Sequence, residues 1–155
     1  MKSAFMREAI RISLAKTRRN QGGPFGAVVV KGNRIIGRGW NRVPSTNDPT
    51  AHAEVMAIRA ACRMLMTFSL EDCEIYTSCE PCPMCLAAIY WARLRRVYFA
   101  NTRTDAAHIG FDDEVLYREL ARPISKRSLP MKQILHDEAM AAFAEWRRKP
   151  DKISY

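Results

Sequence analysis

Four side chains between Thr50 and Trp91 have the types and spacing to do chemistry: His52, Glu54, Cys82 and Cys85. The first two sit in Thr50-Ala51-His52-Ala53-Glu54, the others in Cys79-Glu80-Pro81-Cys82-Pro83-Met84-Cys85. Cysteines at i and i+3 fall on one helix face, close enough to share a tetrahedral ion. A catalytic zinc takes three protein ligands and leaves its fourth position to water. Pro81 disfavours helical geometry at Glu80, and Pro83 is tolerated in a first turn, so a helix is expected to begin near Cys82. Thiolates there lie in the positive field of a helix N-terminus, which lowers their pKa and favours metal binding. His52 supplies the third ligand from the start of a second helix. Two positions along an ideal helix rotate a side chain by roughly 200°, so His52 and Glu54 cannot share a mid-helix face. At a helix entrance, where the first residue need not be helical, both can aim at one pocket. Glu54 beside the ion, but off it, can take a proton from a zinc water and hand it to a substrate. That is metal-assisted hydrolysis.

The elements that must hold these residues can be read in order. Met6, Ala9, Ile10, Ser13 and Leu14 recur at helical spacing, so Lys2 to about Arg19 reads as an amphipathic helix, ended by Gly22-Gly23-Pro24. Ala27-Val28-Val29-Val30 is too apolar to be half exposed and should be a strand covered on both faces. Lys31-Gly32-Asn33 is a hairpin turn, and Arg34 to Gly39 returns as the partner strand. The polar loop from Asn41 to Thr50 delivers the chain to His52. Further expectations are a helix from Ala51 to about Met66, a strand over Glu74 to Ser78, a helix from Cys82 to about Ala92 and a strand over Val97 to Ala100. Beyond Asn101 a helix is expected over Glu114 to Ala121, a short strand over Leu129 to Leu135, and a last helix over Asp137 to Lys149. In that last helix Met140, Phe143, Ala144 and Trp146 should face inward. Pro150 stops it and leaves a tail. The sum is one α/β domain over residues 1–155, a three-layer α/β/α sandwich with a mixed five-stranded sheet. The metal ligands then lie at helix starts, outside the carboxyl ends of strands.

Composition sets the outer limits. The chain has 155 residues, 48% of them hydrophobic, enough for one substantial core and against disorder. No apolar run approaches the roughly 20 residues of a membrane span, and the N-terminus lacks the apolar stretch of a secretory signal. Five cysteines cannot all pair, and a C-x-x-C beside a matching histidine fits a reducing cytoplasm better than a disulfide framework. Cys62 and Cys73 read as small buried hydrophobes. The net charge of +9 speaks to solubility and non-specific binding more than to a nucleic-acid partner. His108 and His136, in no ligand spacing, read as surface residues.

Two other metal sites share these residues. A closed structural zinc would take Cys79 as its fourth ligand, but that leaves Glu54 without a task. An iron–sulfur cluster lacks a fourth cysteine where a ferredoxin run would place it. From a different class, the rival is a basic RNA-binding module with structural zinc.

The complete H-x-E…P-C-x-x-C pattern is the signature of the zinc nucleobase deaminases. Nearly the whole chain resembles the cytidine deaminase superfamily and, within it, the bacterial guanine deaminases. The broader likeness rests on Gly22 to Ala27, Asn47 to Glu54 and Thr77 to Cys85. The closer one rests on Ala88-Ile89-Tyr90-Trp91-Ala92, Thr104 to Ala107, Gly110-Phe111-Asp112-Asp113 and Ile153-Ser154-Tyr155. The resemblance implies one zinc per chain on His52, Cys82 and Cys85, with water or hydroxide as fourth ligand and Glu54 as acid and base. It implies hydrolysis of guanine to xanthine and ammonia, with guanosine, cytosine and tRNA adenosine as alternative substrates. Phe25 would stack on the base and Asn41 and Ala53 would contact it. Trp91, Asp113 and Tyr155 would enclose or orient it, with Asp112 the alternative carboxylate. It further implies a homodimer in which residues 150–155 are exchanged between subunits. By type alone, Phe25 and Trp91 read as core aromatics, Asn41 as a strand end and Asp113 as a charge at a helix start.

Overall fold

The computed structural model describes residues 2–154. It forms two compact units that divide between Asp113 and Glu114. The first unit is built on strand β1 (Gly26–Lys31), whose five leading residues are all buried. A turn at Gly32, with φ of 58°, returns the chain as β2 (Arg34–Trp40). β3 (Cys73–Cys79) pairs antiparallel with the other edge of β1, setting Val28 opposite Tyr76 and Val29 opposite Ile75. β4 (Arg96–Asn101) lies parallel to β3, as a strand reached by a helical crossover must. The sheet order is β2-β1-β3-β4.

Alternation along β1 sends its valines to opposite faces. Val28 and Val30 join Ile12 and Tyr76 beneath helix α1 (Lys2–Thr17), with Phe5 and Met6 against the cluster. On the other face, Ala27, Val29 and Ile75 meet α3 (Ala53–Leu65) and α4 (Pro83–Trp91) through Ala53, Ala57, Ala61 and Ile89. Each buried valine is worth about 1.5–3 kcal/mol relative to exposure, so the double cover of β1 is the main source of cohesion. α3 lies unusually close to β2. A Cβ on Gly39 would stand 2.1 Å from the Ala53 carbonyl oxygen, and one on Gly37 would stand 2.4 Å from that of Ala57. Small residues on both partners therefore fix the depth of α3. The layering is helix, sheet, helix, as the pattern of apolar runs predicts.

Between β2 and α3 lies a short helix, α2 (Val43–Thr46). After β4 comes α5 (Arg103–His108), where sequence patterning showed no helix. The second unit holds α6 (Glu114–Ala121) and α7 (His136–Arg148). Glu119 ties its intervening turn, accepting from the Ser128 amide at 2.7 Å and from Arg122 at 2.6 Å. Two expectations need correction. The sheet has four strands among the described residues, not five, because 129–135 is irregular. Pro130 removes a ladder donor there, and Lys132-Gln133 interrupts the apolar alternation. The expected inward face of α7 is open: Met140, Phe143 and Trp146 are exposed, and only Ala144 is half-buried.

Candidate active site

Two helix N-termini carry the ligand set. His52 is the N-cap of α3, in extended conformation (φ −70°, ψ 157°), and Cys82 is the N-cap of α4 (φ −64°, ψ 168°). Neither side chain caps its own helix, so both are free to turn to a common point. Cys85, one turn on and fully buried, joins them. His52 Nδ1 lies 3.6 Å from Cys82 Sγ and 3.5 Å from Cys85 Sγ. Nitrogen and sulfur ligands at ordinary bond lengths around a tetrahedral zinc stand about 3.6 Å apart. The three ligand atoms all lie within 4.8 Å of one another. The set fits a zinc ion.

Because His52 is extended and α3 starts at Ala53, Glu54 escapes the two-residue rotation and turns toward the same pocket. Its side chain is buried, and it interacts with the Cys85 thiol. Burial pushes its carboxyl up, and the negative Cys82 sulfur adds to that. Cys82 is the acidic thiol of the pair, held down to about 4 by the proton Cys85 shares with it and by His52. Cys85 is raised by that same proton, by burial and by Glu54. The Cys82 sulfur in turn raises the His52 imidazole, against the opposing effect of burial. Two sulfurs and an imidazole thus compete for protons that a cation would replace. Cys79 stays outside the cluster: it ends β3, its thiol reaches the Thr102 carbonyl at 3.5 Å, and burial raises it to about 11.

Asn41 follows β2 and is buried, its Oδ1 accepting from the Val43 amide at 3.2 Å and the Gly23 amide at 3.5 Å. Those bonds turn the amide nitrogen to the other side. Gly22, at φ 144°, passes so close that a Cβ would overlap the Asn41 carbonyl oxygen at 1.7 Å. Phe25, half-buried, forms an edge-to-face pair with Phe111 at 4.9 Å between centroids and 90° between planes. Ala53 has its methyl in the core and keeps a backbone amide at the first turn of α3. Asp113 is half-buried, and burial together with the Cys82 charge raises its carboxyl; its neighbour Asp112 is exposed. Trp91 ends α4, roughly 13 Å along the helix axis from Cys82, and is exposed. The fold of one chain therefore does not bring it to the ligands. Tyr155 lies outside the described residues. Sequence reading assigned no role to Phe111 or Glu80. The Glu80 carboxylate accepts from the Arg103 amide at 3.0 Å, tying the loop before Cys82 to α5.

A histidine and two cysteines on paired helix starts, with a buried carboxylate at hand, define a zinc hydrolase site on an α/β/α sheet. Residues 1–101 match the cytidine and deoxycytidylate deaminase zinc-binding region, and the chain belongs to that family. It is 48% identical to the guanine deaminase of Bacillus subtilis over 97% of this chain and 97% of that one. The X-ray structure of guanine deaminase from Bacillus subtilis superposes with a TM-score of 0.96 at 48% identity, covering 99% of this chain and 98% of the other. The tRNA-specific adenosine deaminase of Aquifex aeolicus is also 48% identical, over 50% of this chain and 51% of its own.

Proposed function

We propose that the chain hydrolyses guanine to xanthine and ammonia, with one zinc per chain on His52, Cys82 and Cys85 and water in the fourth position. The observation that carries this reading is a likeness to a guanine deaminase that runs through nearly all of both chains. The likeness to tRNA-specific adenosine deaminases is looser where it is long, at 35% identity over 72% of the chain and a TM-score of 0.65 over 83% of it. Zinc bound there supplies a water made nucleophilic at neutral pH. Glu54 takes the proton that the water loses as its oxygen bonds to C2 of the base, and passes it to a ring nitrogen. It then moves the second water proton to the departing amine, so that guanine and water become xanthine and ammonia. A carboxyl raised by burial is suited to take up a proton and return it. Phe25 stacks on the base, and the Asn41 amide and Ala53 backbone amide hydrogen-bond it. Asp113, rather than the exposed Asp112, is the orienting carboxylate.

The active form is a homodimer. Taken by itself, the second unit buries none of its described residues, and Val115, Leu116, Leu120, Leu129, Phe143 and Trp146 are all exposed. A second copy of the chain is the natural cover, with exchanged C-terminal segments bringing Tyr155, and the partner surface bringing Trp91, to each site. Five free cysteines suit a reducing cytoplasm, and among the described residues no helix is long and apolar enough to cross a membrane. The test is ammonia release by the zinc-loaded protein from guanine, guanosine, cytosine, adenine and a tRNA anticodon stem. Guanine should lead the series; a tRNA adenosine converted at a rival rate would replace it as substrate.

A further inference from the structure

Helix α5 is six residues long and is fastened at both ends. At its start, the Thr102 hydroxyl accepts from the Asp105 amide at 3.2 Å, while the Asp105 carboxylate accepts from the Thr102 amide at 2.8 Å. The Glu80 carboxylate takes the Arg103 amide, and the Glu80 amide donates to the Asn101 carbonyl at 2.8 Å. At its end, the Gly110 amide donates to the Ala107 carbonyl and the Phe111 amide to the Ala106 carbonyl, both at 3.0 Å. With Gly110 at φ 91°, that pair of bonds is a Schellman cap, and its apolar residue is Phe111. A short helix capped at both ends is a stiff spacer. It runs from the loop that carries Cys82 to the ring that meets Phe25. Phe111 and Phe25 pack edge to face, with Gly23 behind both: a Cβ there would stand 3.3 Å from Phe111 Cζ and 3.4 Å from Phe25. Phe25 is thus braced by a second ring set perpendicular to it, which fixes the plane in which it can meet a base.

We propose that Phe111 is a positioning residue for the substrate, which acts by fixing the plane of the Phe25 ring. The inference rests on the guanine reading for its substrate and on the two rings for its geometry. An edge-to-face pair keeps the aromatic quadrupoles in register, and an aliphatic residue of similar volume does not. Phe111→Leu in the zinc-loaded protein is expected to raise KM for guanine about fivefold, the range of one aromatic pair, with kcat within about twofold and zinc content unchanged. Phe111→Tyr should restore KM. If Phe111 acts through Phe25, adding Phe111→Leu to Phe25→Leu should change KM no further than Phe25→Leu alone. A normal KM in Phe111→Leu, or the full fivefold effect persisting without the Phe25 ring, overturns the proposal. Should the leucine variant fold poorly, Phe111→Met carries the same comparison. Aromatic NMR of Phe25 separates this inference from the functional one. Faster ring flipping of Phe25 in Phe111→Leu supports the fixing role even if wild type ignores guanine, and unaltered flipping ends it.

Discussion

Glu54 combines burial with a place beside three residues that could hold a metal ion, and its substitution separates structure from chemistry. Glu54→Gln keeps shape and hydrogen bonding but cannot carry protons. It should retain zinc and fold while turnover falls by roughly 10²–10⁴-fold, read from steady-state ammonia release. The cysteines differ in the same way. Cys82→Ala removes the acidic thiol at the α4 N-cap and should abolish tight zinc binding in a chelator titration. Cys79→Ala loses a long contact to the Thr102 carbonyl and a little buried volume, both away from the cluster, and should keep it. Equal loss in both would mean a closed structural site. Glu8 offers a pH test outside the site. Its carboxyl bonds Arg11 at 2.7 Å and Arg38 at 3.0 Å, and these guanidiniums hold it down to about 2 from the ordinary 4.5. A depressed acid stabilises the fold above its unfolded pKa and loses that contribution as pH falls through the folded value. Glu8→Gln should therefore cost about 1 kcal/mol at pH 7, with the gap to wild type closing between pH 4.5 and 2 in denaturant unfolding.

Among the elements, α3 is fixed in depth by its carbonyls resting on Gly37 and Gly39 of β2. Gly39→Ala would push on the Ala53 carbonyl, next to His52 and Glu54. It should lower stability by about 1–3 kcal/mol and weaken zinc binding. Gly32→Ala meets nothing within 4 Å and strains only its own φ of 58°. It should cost about 1–2 kcal/mol and leave zinc binding alone, which thermal melts and metal titration together would show. Much of this architecture was legible beforehand. The valine run gave away the buried strand, and the proline positions gave away the start of α4 and hence the shared face of the two thiols. The hidden parts lack such periodicity. α5 is too short for an apolar stripe, and its real signals are the Thr102–Asp105 capping box and Gly110. Phe111 belongs to the Gly110-Phe111-Asp112-Asp113 motif, but its ring contact is with Phe25, 86 positions away in sequence. The stretch 129–135 has strand-like composition, but Pro130 cannot donate to a ladder and Lys132-Gln133 breaks its alternation.

At the scale of the molecule, the apolar residues left open on α6 and α7 bear on the proposed homodimer, for which light scattering should give twice the 17.7 kDa chain mass. Deleting 151–155 should leave zinc and fold in place. Guanine turnover should fall at least about tenfold, or 1.4 kcal/mol of transition-state stabilisation. An unchanged rate would make those residues a frayed end. The net charge of +9 predicts weak, salt-sensitive and unproductive tRNA binding, seen as a steep loss of retention between low and physiological salt.

The position of β3 also decides when the site comes into being. His52 precedes that strand and Cys82 follows it, yet β3 must slot against β1, some 46 residues back in register, before the two helix starts face each other. Folding of the sheet and closure of the ligand set are thus one event. A chain caught before β3 docks owns two cysteines on a floppy loop, open to any soft cation or oxidant present. Refolding with zinc present is therefore expected to leave less oxidised Cys82 and Cys85 than zinc added after refolding, as a thiol titration would show.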